Sequence, residues 1–101
     1  MEHLKKVMVQ FDFPEMTAKQ FDKIWQDIRV KGHGNPSGLE HHAAAISEKG
    51  MKIIDVWESE DKFNKFGNTL MPILAQNGII PAKPVILPLH FEYNGIRTGV
   101  L

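Results

Sequence analysis

The sequence contains no cysteine, no excess of either charge and no long apolar run. Without cysteine the chain has no disulfide, no thiolate nucleophile and no cysteine-based zinc or iron–sulfur site. Twelve Lys and Arg balance twelve Asp and Glu, which argues against nucleic acid or an anionic membrane surface as a partner. No segment approaches the roughly 18 apolar residues of a membrane span, and no signal-peptide pattern is present, so we expect a cytoplasmic protein.

The length and composition fit one small globular domain. With 101 residues, 43% of them hydrophobic, the chain can bury a core but has no room for a second domain. We therefore expect a single domain over residues 1–101, with residues 94–101 as a C-terminal tail.

The first part of the chain predicts a strand followed by a helix. Apolar and polar residues alternate from Lys6 to Phe13, which is the pattern of a strand. Thr17 and Gln20 then have the spacing of a capping box, and the apolar residues after them recur at helical intervals.

The middle of the chain predicts a loop and a hairpin. The segment KGHGNPSG, residues 31–38, reads as a connector, because it lacks the Gly-Lys-Ser/Thr ending of a phosphate-binding P-loop and leads into a strand. Strands at 39–47 and 51–58 follow, joined around Glu48, Lys49 and Gly50.

A second helix and a last strand complete the pattern. Ser59 is the expected N-cap of this helix. Gly67 and Pro72 predict a break near Asn68 and a short resumed helix from Thr69 that Gly78 ends. The last strand is expected over about residues 84–92.

The order β-α-β-β-α-β is the signature of a ferredoxin-like α+β sandwich, a four-stranded antiparallel sheet with both helices on one face. Alternation predicts which side chains the helices cover: Val7, Val9, Phe11, Phe13, Ile54, Val56, Val85, Leu87 and Leu89. The open face is then expected to carry Met8, Gln10, Asp12, His42, Ala44, Ile46, Ile53, Asp55, Trp57, Ile86 and His90.

That open face is too apolar to stay in water and too polar for a dry core, a mixture typical of a ligand pocket. A second copy of the chain is the simplest cover, because most soluble oligomers are symmetric homodimers. We therefore expect a homodimer in which two sheets pair as an α/β barrel.

Three segments resemble a known family: DVWESEDKFNKF at 55–66, HHAAA upstream and PLH near the end. The chain from Val7 to His90 resembles the dimeric α/β-barrel superfamily, and within it the antibiotic biosynthesis monooxygenase group. The resemblance implies a small aromatic or apolar substrate, with oxygenation or isomerisation that needs no metal or other cofactor. Relatives that degrade haem have a histidine on the second helix; residues 59–76 contain none, which argues against that activity.

Two adjacent histidines, His41 and His42, are candidates for the chemistry, and alternation lets only one of them face a pocket. A two-residue Lys49-Gly50 turn would place His42 opposite Trp57, whereas a three-residue loop ending in Gly50 would place His41 there. Turn chemistry leaves both open; polarity and the resemblance favour His42. The alternative is a half-exposed strand histidine without a role.

Asp55 and Trp57 are the other principal candidates. A mid-strand aspartate needs a partner, and Asp55 could orient His42 and raise its basicity. The alternative is a salt bridge to a lysine or exposure at an edge. The resemblance implies that Trp57 turns its indole into the pocket; the alternative is that it fills the core. Trp25, on the apolar stripe of the first helix, is interpreted as a core residue.

The remaining pocket candidates are Met8, Gln10, Phe66 and His90. His42, Asp55 and His90 could in principle hold a metal. No i, i+2 or i, i+4 ligand pair supports such a site, so we expect no metal.

Two functions remain in competition. In the first, His42 aided by Asp55 removes an acidic proton from a substrate, and Trp57 with aromatics of the second helix holds the resulting anion. In the second, the chain is a non-catalytic ligand-binding or structural dimer. A cavity of about 300 Å³ or more would favour the first function, and a smaller one the second.

Overall fold

The computed structural model describes residues 5–80 and 83–93. Its elements follow the predicted order: β1 Val7–Pro14, α1 Ala18–Val30, β2 Leu39–Ser47, β3 Gly50–Trp57, α2 Glu60–Gln76 and β4 Val85–Pro88. The strands form one antiparallel sheet in the order β2-β3-β1-β4. The predicted ferredoxin-like α+β fold is confirmed. No helix among the described residues is long and apolar enough to cross a membrane.

Helix α1 begins with the predicted capping box. The backbone N–H of Gln20 donates to Thr17 Oγ1 at 3.1 Å, and the backbone N–H of Thr17 donates to Gln20 Oε1 at 2.9 Å. Two donors that a helix N-terminus leaves free are thereby satisfied. Ile24 and Ile28, one turn apart, are the residues of α1 that are buried against the sheet.

Helix α2 is continuous, so the predicted break near Asn68 is wrong. Pro72 lies inside the helix and removes one backbone donor, but buried side chains on both sides of it hold the helix against the sheet. These are Phe63 before the proline and Ile73 and Leu74 after it. Ser59 caps the start as predicted, with the Lys62 N–H donating to its hydroxyl.

The hairpin between β2 and β3 has neither of the two predicted turns. Ser47 pairs with Gly50, so the connection consists of Glu48 and Lys49. Gly50 lies in β3, opposite Pro14, and its φ is 131°. A Cβ there would approach the Phe13 carbonyl oxygen to 2.3 Å, so contact with β1 requires this glycine.

The predicted faces are correct for β1 and wrong for the other strands. Because Val9 lies between Asp55 and Ile86 across the sheet, side chains at these positions share the helix side. The helix side carries Val7, Val9, Phe11, Phe13, Leu39, His42, Ala44, Ile46, Met51, Ile53, Asp55, Trp57 and Ile86. The open face carries Met8, Gln10, Asp12, His41, Ala43, Ala45, Lys52, Ile54, Val56, Val85 and Leu87.

Strand β4 is shorter than predicted. It pairs only with the first half of β1, from Val7 to Gln10. After it, the Leu89 N–H donates to the Lys6 carbonyl at 3.0 Å, and His90 is exposed beyond the strand. The expected tail at 94–101 lies outside the described residues.

Candidate functional site

Asp55 is a buried carboxylate whose two oxygens both have partners. It lies in β3, faces the helices and is 5% exposed. Its Oδ1 lies 2.5 Å from His42 Nδ1, and its Oδ2 accepts a hydrogen bond of 3.1 Å from Trp57 Nε1. A buried carboxylate is costly without such partners, so these two contacts explain how an aspartate is accommodated there.

The strand pairing brings these three side chains together. His42 lies directly opposite Asp55 across β2 and β3. Trp57, two residues after Asp55, points to the same side of the sheet. A bulge between Leu39 and His41 adds one residue to β2, so that Leu39 and His42 both face the helices although they are three positions apart.

His42 lies in an aromatic environment at the edge of the sheet. Its ring stacks on Phe21 with centroids 5.9 Å apart and meets Trp25 edge-on at 5.2 Å. Its side chain is 25% exposed. When Nδ1 carries the proton donated to Asp55, Nε2 has a free lone pair and can act as a base.

An apolar cavity lies beside this histidine, between the sheet and the helices. Its volume is about 50 Å³, well below the roughly 300 Å³ of a small-molecule pocket. By the volume criterion stated above, this observation favours the non-catalytic interpretation. The lining residues are Phe11, Phe13, Met16, Phe21, Ile24, Trp25, Ile28, Leu39, His42, Ile53, Asp55, Phe66, Leu70 and Leu74.

The predicted site residues fall into separate places. His42, Asp55 and Phe66 line the cavity. Trp57 is fully buried behind Asp55 and is not a lining residue. Met8 and Gln10 lie on the opposite face of the sheet.

Two other residues lie outside the cavity. His90 lies beyond β4. His41 points away from the helices, and its Nε2 lies 2.7 Å from Glu92 on the open side.

Two residues that sequence reasoning left out of the site also contact His42. Phe21 and Trp25 both line the cavity. Their i, i+4 spacing on α1 places them on one face of the helix, which is the signal that could have indicated a shared role.

A metal site of the type considered from sequence does not form among residues 5–80 and 83–93. No group of three His, Cys, Asp or Glu side chains in these ranges lies close enough to hold an ion.

Comparison with solved structures identifies the fold. A protein from Chloroflexus aurantiacus J-10-fl, provisionally named an antibiotic biosynthesis monooxygenase, superposes with a TM-score of 0.62 at 14% identity, over 88% of this chain and 97% of that one. SnoaB, a cofactor-independent oxygenase from Streptomyces nogalater, superposes with a TM-score of 0.61 at 12% identity, over 87% and 96%. This chain has the antibiotic biosynthesis monooxygenase (ABM) fold.

A third ABM-fold structure, from Caulobacter crescentus CB15 and likewise provisionally named, shares 20% identity over 91% of this chain and 95% of its own, with a TM-score of 0.55. No family model matches the sequence, and a comparison with curated proteins finds no match. The three solved structures confirm, for the fold, the resemblance noted from the sequence.

Proposed function

We propose that this protein binds a small, largely apolar molecule with an acidic C–H at the cavity between sheet and helices, and that His42 removes the proton. Asp55 holds the imidazole in the tautomer that leaves Nε2 free, and Trp57 holds Asp55. The resulting carbanion or enolate then forms a C–O bond with dioxygen, and the peroxide takes the proton back from His42 as a hydroperoxide; in the isomerisation, another carbon takes that proton.

The observation that carries this proposal is the arrangement around the Asp55 carboxylate. One oxygen lies 2.5 Å from His42 and the other accepts from Trp57, so the base is oriented from behind by a buried group. A general base must be positioned before its pKa matters. The shared fold with SnoaB, a cofactor-independent oxygenase, supports oxygen chemistry by analogy only.

The cavity volume limits how a substrate can bind. A space of about 50 Å³ is smaller than the roughly 150 Å³ that admits benzene in an apolar protein cavity. The proposal therefore requires either that only the reacting carbon enters, or that Phe21 and Trp25 move. Both rings are only partly buried, so each has an exposed side toward which it can turn.

The same volume favours a second candidate function. In a purely structural or non-catalytic protein, His42 and Asp55 would form a satisfied polar pair inside a nearly filled interior. The aromatic contacts of His42 would then contribute packing only.

Proton exchange separates the two functions. Phenylacetone carries an acidic benzylic C–H, and its replacement by deuterium in D2O is followed by proton NMR, with oxygen uptake measured in parallel. We expect the protein to accelerate exchange, His42→Gln to abolish the acceleration, and His41→Gln, on the opposite face, to retain it. Equal exchange by the wild type and His42→Gln would exclude a base at this position.

We also propose that the open face of the sheet pairs with a second copy of the chain. Ile54, Val85 and Leu87 are 39%, 50% and 45% exposed there, and large apolar side chains exposed together on one face often mark an interface. A symmetric homodimer would cover it.

A further inference from the structure

A second cavity lies outside α2, against the loop that connects α1 to β2. Its volume is about 350 Å³, which reaches the range of small-molecule pockets. The lining residues are Gly32, His33, Asn35, Pro36, Ser37, Lys62, Lys65, Phe66 and Thr69. We call this space the outer cleft.

The outer cleft is cationic and rich in hydrogen-bond donors. Lys62 Nζ lies 3.2 Å from Ser37 Oγ and 3.3 Å from Glu58 Oε1. Lys65 forms no ion pair with the residues that the structure describes. Because the Lys62 contacts are exposed and individually weak, an incoming anion can draw both ammonium groups toward it.

The loop is shaped to admit one of these lysines. Gly38 has φ 90°, and a Cβ at this position would lie 2.7 Å from the Lys62 Cβ. The aliphatic stem of Lys62 therefore lies directly on the loop backbone, which keeps its ammonium group at the rim of the outer cleft.

Phe66 is shared by the outer cleft and the cavity at His42. It is partly buried and packs on Trp57 with ring centroids 5.5 Å apart. Residues that line the two spaces are also close in sequence. Ser37 and Thr69 line the outer cleft, whereas Leu39 and Leu70 line the cavity at His42. Phe66 therefore borders both spaces, on the side of the outer cleft nearest to the cavity at His42 in the chain.

We propose that the outer cleft is the anion-binding half of one bipartite site, and that its ligand is a small organic carboxylate with an aromatic or apolar body. The carboxylate binds Lys62 and Lys65, and the apolar part turns past Phe66 toward His42. This inference names the substrate class for the function proposed above and rests on it. It also accounts for the small inner cavity, since only the reacting end of the molecule needs to enter there.

Binding of a matched pair of probes tests the proposal. Phenylacetate and its neutral counterpart phenylacetamide are titrated into the isotope-labelled full chain, and backbone amide shifts are followed by NMR. We expect saturable shifts at residues 33–37 and 62–69 with phenylacetate, and at least about 5-fold weaker binding of phenylacetamide. No saturable shift with phenylacetate up to about 10 mM, or equal affinity for the two probes, would overturn the proposal.

Substitutions assign the binding to the two lysines. The double variant Lys62→Gln/Lys65→Gln is expected to weaken phenylacetate binding by about 5- to 10-fold and to leave phenylacetamide unaffected. Lys19→Gln, an exposed lysine on α1 outside the outer cleft, should bind as the wild type does. Unchanged phenylacetate affinity in the double variant contradicts the assignment. Phenyl phosphate, titrated in parallel, should bind no better than phenylacetate. A clear preference for phenyl phosphate would overturn the carboxylate assignment and make an organic phosphate the ligand class.

Two readouts separate this inference from the proposed function. Proton exchange of phenylacetone reports on the base at His42, whereas the preference for phenylacetate over phenylacetamide reports on the two lysines of the outer cleft. If phenylacetone exchange is absent while the lysine-dependent carboxylate preference is present, the base assignment fails and the anion site stands. If exchange depends on His42 but the carboxylate preference is absent, only the anion site fails.

Discussion

Trp57 donates its indole N–H to the same carboxylate that holds His42, from two residues further along β3. The tryptophan is fully buried, and the Asp55 carboxylate is the partner that it shares with the imidazole. Its proposed part is therefore to position the carboxylate, with no direct contact to a substrate.

Replacing Trp57 tests this arrangement. Trp57→Phe keeps an aromatic ring but removes the donor to Asp55 and leaves unfilled volume, so the free energy of unfolding should fall by about 2–4 kcal/mol. Urea denaturation measures this loss. Phenylacetone exchange should fall as well, because Asp55 is then held by one partner. A variant with wild-type exchange would show that Trp57 only fills the core.

Asp55→Asn alters the partner of His42 while it conserves shape. The amide cannot accept the Nδ1 proton and also bind Trp57 as the carboxylate does, so His42 loses its orientation. We expect phenylacetone exchange to fall by about 10²-fold or more, within the range of general-base effects. Asp12→Asn, exposed on the open face, is the matched control and should exchange as the wild type does. Loss of exchange in both variants would contradict a specific role for Asp55.

Phe66→Ala should join the inner cavity to the outer cleft. Because Phe66 is only partly buried, the loss of unfolding free energy should lie below the roughly 3–5 kcal/mol of a fully buried phenylalanine. We expect ketones larger than phenylacetone to exchange faster in this variant, and Phe66→Leu to be intermediate. If the rate for the larger ketones does not change, Phe66 does not separate the two spaces.

Asp27 predicts a pH dependence of stability. Its pKa is held below the ordinary 3.8, first by a hydrogen bond from the Asn77 side chain on the α2 cap and then by Lys23. A lowered pKa in the folded state means that the stabilising contribution is present above about pH 4 and is lost as the pH falls through the lower value. Asp27→Asn should flatten the acid limb of urea-measured stability, and Asp22→Asn, exposed on the same helix, should not. Equal limbs in all three proteins would contradict this linkage.

A charged substitution on the open face of the sheet tests the proposed homodimer. Ile54→Lys would place a charge from each copy in the proposed interface and should shift the protein from a dimer to an 11.5 kDa species in sedimentation velocity at micromolar concentration. Lys19→Gln is the control. A wild type that sediments as the 11.5 kDa species would contradict the pairing itself.

The order of elements and the first strand could be predicted because each has a local signal, such as the capping box at Thr17 and the alternation along β1. The faces to which the side chains of β2 and β3 point could not be predicted in this way. Ile54 and Val56 are apolar and Asp55 is polar, which suggests that the aspartate points outward, yet pairing with β1 reverses this. Polarity fails here because both faces of the sheet are partly apolar.

Only part of the candidate site could be predicted, because its position also depends on the face to which each strand directs its side chains. His42, Asp55 and Trp57 were expected to share a face, and they do share one. They were assigned to the open face together with Met8 and Gln10. That assignment was wrong for these three residues, because the pairing of β3 with β1 reverses the faces expected for β2 and β3. The roles of Phe21 and Trp25 depend on how α1 crosses β2, and no local sequence signal specifies a helix–strand crossing.

The extra residue in β2, between Leu39 and His41, separates two parts of the strand that would otherwise share one register with β3. The histidine is aligned from the hairpin end, where Ser47 meets Gly50, whereas the glycine-rich connector joins the strand from the other end. Changes in connector length or composition can therefore be absorbed before they reach the imidazole.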